Sequence, residues 1–320
     1  MFDFDVLKFS GGFNTKVDSL ESAYELFSDR YYNIAVNSAT SAADMIFSYL
    51  ASEFGQLKIT CPTLSFCSPA MMALKNGHIV EIVDVNKYLN QEVYNEVNMP
   101  VLYGGSTLTI KDSLVVDSAH NPLYKNVNGD YIFTSFFPTK PIKAFCGGMI
   151  SVERTKESAA FYFYRYRNFG RDSSTEITQI GNKYYMDGFN AGIIEPQLQT
   201  YSKSVSKRRL NLLSYESLNE FGNIVEHSDD SSYYLGTLIL NKPVAQELRE
   251  KTRSLFNSKL HYPLLHKQSY FLDHDNCIIK KCNYSEFLED RLFTLPISEH
   301  YESYQIEYFK DKIIKCLRSL

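Results

Sequence analysis

Ile34-Ala35-Val36-Asn37-Ser38 reads as a short apolar strand running straight into two residues that cap helices well. Beyond it, Ala42, Met45, Ile46, Tyr49 and Leu50 share one face at helical spacing, so the unit is strand, turn, helix. The unit recurs: Lys58 to Cys61 as strand, Ser68-Pro69 opening a helix that stops at Asn76-Gly77, and His78 to Val85 as the next strand. Upstream, Asp18 and Glu21 read as the cap of a helix with Val17, Leu20, Tyr24 and Phe27 on its apolar face. Further strands are expected at Met99 to Tyr103, Leu114 to Val116, Ile132 to Phe137 and Met149 to Val152. Strands interleaved with helices predict an α/β fold, its mostly parallel sheet lying between helices. Ligands in such sheets bind beyond the carboxyl ends of the strands.

After Gly170 the pattern changes. A long helix is predicted from about Asp187 to Leu213, kinked or interrupted at Pro196. A strand at Tyr233 to Leu240, a helix opened by Pro243, a strand at Leu292 to Leu295 and a last helix carrying Ile306, Phe309, Ile313 and Leu317 follow. These form a smaller C-terminal α+β domain, so the expected division is 1–200 and 201–320.

Composition narrows the function class without naming it. With 44% hydrophobic residues the 320-residue chain can close a sizeable core, and its net charge of -4 argues against nucleic acid, which needs clustered cations. The six cysteines form no CxxC pair and read as reduced thiols. His261, His266, His274, Cys277 and Cys282 fit no familiar zinc spacing. The aromatic and cationic run from Phe161 to Arg167 reads as packing or a dimer face. An acidic start, Met1-Phe2-Asp3-Phe4-Asp5, and the lack of an apolar run of membrane length predict a cytoplasmic protein.

The chemistry lies in Thr134-Ser135-Phe136-Phe137-Pro138-Thr139-Lys140 and Cys146-Gly147-Gly148-Met149, shortly after Val115-Val116-Asp117-Ser118-Ala119-His120. A lysine just past one strand and an aspartate ending another are what pyridoxal phosphate (PLP) demands: an amine for the Schiff base and an acid beside the pyridine nitrogen. Singly these residues say little. Lys140 reads as a surface lysine, Asp117 as a turn residue, Phe66 as a core aromatic, and Ser135 and Thr40 as strand and cap residues.

Their order is more telling. Ala39-Thr40, Pro62-Thr63-Leu64-Ser65-Phe66, Val116-Asp117-Ser118-Ala119-His120, Ser135 to Lys140 and Gly147-Gly148-Met149 stand in sequence. Echoes follow at Arg167-Asn168-Phe169-Gly170, Tyr184-Tyr185-Met186, Gln197-Leu198, His261-Tyr262-Pro263, His266 and Arg291 to Pro296. In this ordered set the chain resembles the DegT/DnrJ/EryC1/StrS sugar aminotransferases of PLP fold type I. The resemblance implies a large PLP-binding domain and a small C-terminal one. It implies that Lys140 carries the cofactor and shuttles a proton, that Asp117 pairs with the pyridinium nitrogen and that Phe66 stacks on the ring. Ser135, Thr40 and the backbone N–H groups of Ala39 and Thr40 would hold the phosphate, with His120 replacing a glutamine on the ring-hydroxyl side.

The sequence departs from the family at several points. Ala39 stands for a glycine, Tyr185 for an arginine, and Cys146 for a glutamate. Lys183 stands where an asparagine reaches the partner subunit's phosphate, and is expected to make that contact with a charge. The approach to Phe13 is short, and Met99 to Asp117 lacks room for the family's usual helix. The activity implied is transamination in two stages through pyridoxamine 5'-phosphate, from glutamate or glutamine to a nucleotide-linked keto-deoxysugar, by a homodimer with shared sites. Such a product would enter a surface polysaccharide or a glycosylated metabolite. A cyclitol ketone as acceptor, or a weakened binding homologue, are the alternatives.

Overall fold

The computed structural model describes residues 15–27, 31–95, 97–172, 176–256, 258 and 262–320. The acidic start, the approach to Phe13 and His261 lie outside them. Among the described residues, helices α1 (Thr15–Glu25), α2 (Ala39–Phe54), α3 (Cys67–Lys75), α4 (Glu157–Tyr166) and α5 (Gly188–Leu213) accompany strands β1 (Tyr31–Val36), β2 (Lys58–Pro62), β3 (Ile79–Val83), β4 (Val97–Asn98), β5 (Ser113–Asp117), β6 (Gly129–Ser135) and β7 (Gly148–Glu153). Side by side these strands run β1-β7-β6-β5 and then β4-β2-β3. The two halves are stitched where Val101 bridges Asp117, Asp117 N–H donates to Pro100 O and Leu102 N–H to Asp117 O, both at 2.9 Å. β2, β3, β4 and the β5–β6 pair are parallel, while β7 opposes both its neighbours.

The helices form where the spacing demands. Ser38 caps α2, its hydroxyl accepting from Ser41 N–H, and Ala42, Met45, Ile46 and Leu50 are wholly buried against the sheet. Burying each large apolar side chain there contributes roughly 1.5–3 kcal/mol. Two expectations are corrected. α1 begins at Thr15, so Asp18 and Glu21 lie inside it, and Glu21 is no cap. Its carboxylate is buried, accepting from Ala35 N–H at 2.7 Å and pairing with Arg167 at 2.5 Å. Phe27 lies beyond the helix and is exposed. No strand spans Met99 to Tyr103: β4 ends at Asn98, Val101 makes a single bridge to Asp117, and a 3-10 turn follows at Tyr103–Gly105, because Pro100 has no N–H for the ladder and Gly104 turns the chain with φ 67°.

The remaining elements are α6 (Ala245–Thr252), α7 (Ser269–Leu272), α8 (Asn283–Leu288) and α9 (Ser303–Arg318), with β8 (Gly222–Ile224), β9 (Gly236–Leu240), β10 (Cys277–Ile279) and β11 (Leu292–Leu295). β11-β9-β8 form an antiparallel sheet, over which α9 lays Ile306, Phe309, Ile313 and Leu317, all buried as their spacing predicts. β10 returns to the first sheet, parallel to β3, and Phe271 enters that sheet's core. α5 runs through Pro196 as one helix, burying Ala191, Ile194 and Leu198 against one core and Leu212 in the other. No described helix is long and apolar enough to cross a membrane.

Candidate active site

The carboxyl ends of β5 and β6, the amino end of β7 and the start of α2 converge. Asp117 ends β5 in register with Phe133 on β6, and Ser135 ends β6 opposite Gly148, which also pairs with Val36 at the end of β1. Two residues on, Ser38 bridges Gly147. A Cβ added to Gly148 would stand 2.6 Å from Ser38 C and 2.7 Å from Ala39 N. β7 thereby packs directly under the first turn of α2, an approach only glycine permits. That turn holds no acidic side chain, and the N–H groups of Ala39 and Thr40, ahead of the capped Ser41 N–H, have no intrahelical partner by position and can bind an anion. Thr40 Oγ1 donates to Ser68 Oγ at 3.1 Å, tying this turn to α3, and Ser135 Oγ accepts from Phe137 N–H at 3.3 Å.

Beside this cradle is an acid and an amine. Asp117 is buried, with Ala119 N–H donating to its Oδ1 at 2.9 Å. Burial pushes its carboxyl up to about 6, opposed by that N–H and by the Lys140 charge. Burial likewise pushes Lys140 down to about 8, with the Asp117 carboxylate opposing. Neighbouring groups therefore pull each other toward the ionised form while the cavity wall resists both, the usual setting of a reactive amine. The turn from β6 presents Lys140, its N–H donating to Phe137 O at 2.8 Å.

Aromatic residues close the space. Lys140 Nζ lies 5.2 Å from the centre of the Tyr234 ring and donates to Tyr262 Oη at 3.4 Å. The Tyr262 ring lies 5.7 Å from Phe66, which is half exposed at the head of α3, and 5.9 Å from His120, stacked at 23°. His120 Nδ1 receives Gly104 N–H at 3.2 Å, and its Nε2 lies 2.9 Å from Tyr262 Oη. The structure thus links Asp117, Lys140, His120 and Phe66 through Tyr262, while Ala39 and Thr40 open α2 beside Gly148 and Ser135 pairs with Gly148 across the strands. Lys183 stands apart on the exposed side. Its carbonyl accepts from Asn37 Nδ2 at 3.3 Å, and its amine lies 5.7 Å from the centre of the Tyr185 ring. Tyr234 and Tyr262 were not among the expected site residues. The first sits in what reads as a strand, and the second was visible only in His261-Tyr262-Pro263.

The sequence pattern of the DegT/DnrJ/EryC1/StrS aminotransferase family matches residues 125–314. The chain belongs to this family. As a member it is a PLP-dependent aminotransferase with the type I fold, as the ordered motifs predict. Among solved structures it is similar to Helicobacter pylori PseC, an aminotransferase involved in the biosynthesis of pseudoaminic acid, at 18% identity over 99% of this chain and 95% of that one, TM-score 0.86. DesV of S. venezuelae, solved in complex with a ketimine intermediate, is 16% identical over 97% and 92%, TM-score 0.84. The PLP form of Spr1654 from Streptococcus pneumoniae, a sugar aminotransferase by its description, is 18% identical over 99% and 96%, TM-score 0.81. Comparison with curated proteins gave no match. The donor set fits the cofactor: an amine and a buried carboxylate for its ring, and a helix start free of acidic side chains for its phosphate.

Proposed function

We propose that the chain transfers the amino group of glutamate or glutamine to a keto-deoxysugar linked to a nucleotide, as a cytoplasmic homodimer. The observation that carries the reading is the poised pair of Lys140 and Asp117, with the start of α2 packed closely on Gly148 nearby. Lys140 holds the cofactor and, as a free amine, moves the proton at the substrate carbon. Asp117 keeps a proton on the ring nitrogen, and the bound ring supplies the electron sink that no side chain offers. Phe66 covers one ring face, His120 lies on the hydroxyl side, and Thr40, Ser135 and the N–H groups of Ala39 and Thr40 hold the phosphate. Lys183, exposed beside Tyr185, serves the phosphate of the partner subunit's site. Phe145 and Phe189, stacked at 5.9 Å and both exposed, supply apolar surface for that interface.

The protein with PLP added should show the visible absorbance of lysine-bound cofactor, bleached by glutamate or glutamine and restored by a nucleotide keto-sugar from a panel that also holds cyclitol ketones. Lys140→Ala should lose the band and keep its fold by circular dichroism. A band that survives in that variant removes Lys140 from its role; restoration by cyclitols alone replaces the acceptor.

A further inference from the structure

The contacts around Tyr262 assign two proton positions. A backbone N–H can only donate, so the Gly104 N–H at 3.2 Å makes His120 Nδ1 an acceptor. The imidazole hydrogen of His120 then sits on Nε2, which donates to Tyr262 Oη at 2.9 Å. The same oxygen accepts from Lys140 Nζ at 3.4 Å. Tyr262 is thus held from behind by a ring of fixed tautomer and faces the amine in front. Its ring packs against Phe66, tilted at 5.7 Å, and His120, stacked at 5.9 Å, which limits the oxygen's freedom to leave.

We infer that Tyr262 is a positioning residue for Lys140, its phenol oxygen fixing the free amine through the chain Gly104 N–H, His120, Tyr262. This deepens the reading above and rests on Lys140 being the cofactor-holding amine. The amine must serve as a free base within each half of a transamination, when nothing covalent holds its long side chain. A fixed acceptor removes rotamer freedom that would otherwise cost proton transfer. The groups facing the amine are Asp117 from the end of β5, Tyr234 from the segment before β9, Tyr262, and His120 behind it, with Tyr103 from the 3-10 turn close to Tyr234 and Tyr262. Of these, Asp117 supplies charge and Tyr262 supplies the hydrogen-bond acceptor.

The test is the pH profile of Lys140 acetylation by acetic anhydride in the full chain stripped of cofactor, read by peptide mass spectrometry against surface lysines. Tyr262→Phe keeps the ring and deletes the acceptor, so the charged amine loses a partner and its midpoint falls. About threefold more neutral amine at a fixed pH below the midpoint is expected. His120→Leu, which frees the phenol, should shift it the same way by less, and serves if Tyr262→Phe does not fold. A Lys140 midpoint below that of surface lysines in the parent but unmoved in the variants reduces Tyr262 to packing and overturns this inference alone. A parent midpoint equal to that of surface lysines overturns the assignment of Lys140 as well.

Discussion

At the scale of single residues, the site sets function against stability. A buried carboxyl moved from its ordinary 3.8 to about 6 is stabilised by protonation: the contribution is full below the unfolded value and lost as pH rises through 6. Asp117 therefore costs the ligand-free protein roughly 3 kcal/mol at neutral pH. Asp117→Asn should remove this slope, so that urea unfolding of the cofactor-stripped chain favours the variant increasingly between pH 4 and pH 7, by roughly 2–3 kcal/mol. Superimposable curves would show that Asp117 ionises without strain. The residues of this pair were legible only through the ordered motifs around them, since singly Lys140 reads as a surface lysine and Asp117 as a turn residue. The aromatic wall was not legible, since Tyr234 and Tyr262 are brought to Lys140 across long sequence separations that leave no local pattern.

At the scale of elements, the proposed phosphate cradle depends on how closely β7 can approach α2. Gly148 lies under the Ser38–Ala39 peptide with no room for a methyl group, and the atoms it would strike are backbone, which cannot rotate away. Gly148→Ala should push the first turn of α2 off the sheet, lowering stability by about 2–4 kcal/mol and weakening PLP binding by about tenfold or more in an absorbance titration. Gly192→Ala in α5, where an added Cβ meets nothing within 4 Å, should instead raise stability by up to about 1 kcal/mol. Equal responses would mean that crowding at Gly148 does not shape the cradle. The strands around it were readable from apolar runs bounded by turn residues. β10 was not, because Cys277–Ile279 is too short to show alternation and joins β3 only through the fold. The early end of β4 was in principle visible in Pro100, whose missing N–H outweighs the apolar residues around it.

At the scale of the whole molecule, one ion cluster ties the two cores to the loop that carries Lys140. Arg208, buried on α5, donates from Nε to Glu299 Oε2 at 2.8 Å and from its terminal nitrogens toward Ser232 O at 3.5 Å and Pro141 O at 3.4 Å. Lys143 Nζ reaches Glu299 Oε1 at 3.3 Å. Glu299 follows β11 of the smaller sheet, and Pro141 and Lys143 lie one and three residues past Lys140, so the cluster fixes that loop between the cores. Nothing in the sequence pairs position 208 with position 299; the contact exists only once α5 has crossed from one core to the other. Burial pushes the Glu299 carboxyl up, but Arg208 and Lys143 together hold it down at about 2. A depressed carboxylate stabilises the fold above its ordinary 4.5 and loses that contribution as pH falls through 2. Glu299→Gln leaves Arg208 buried beside a neutral amide, so urea unfolding at pH 7 should show a loss of roughly 3 kcal/mol. The two proteins should converge as pH falls from about 4.5 toward 2, because only the parent has a charge left to lose. A constant gap across that range would place the cost in packing rather than in the ion pair, and the cluster would then not be the electrostatic tie between the cores.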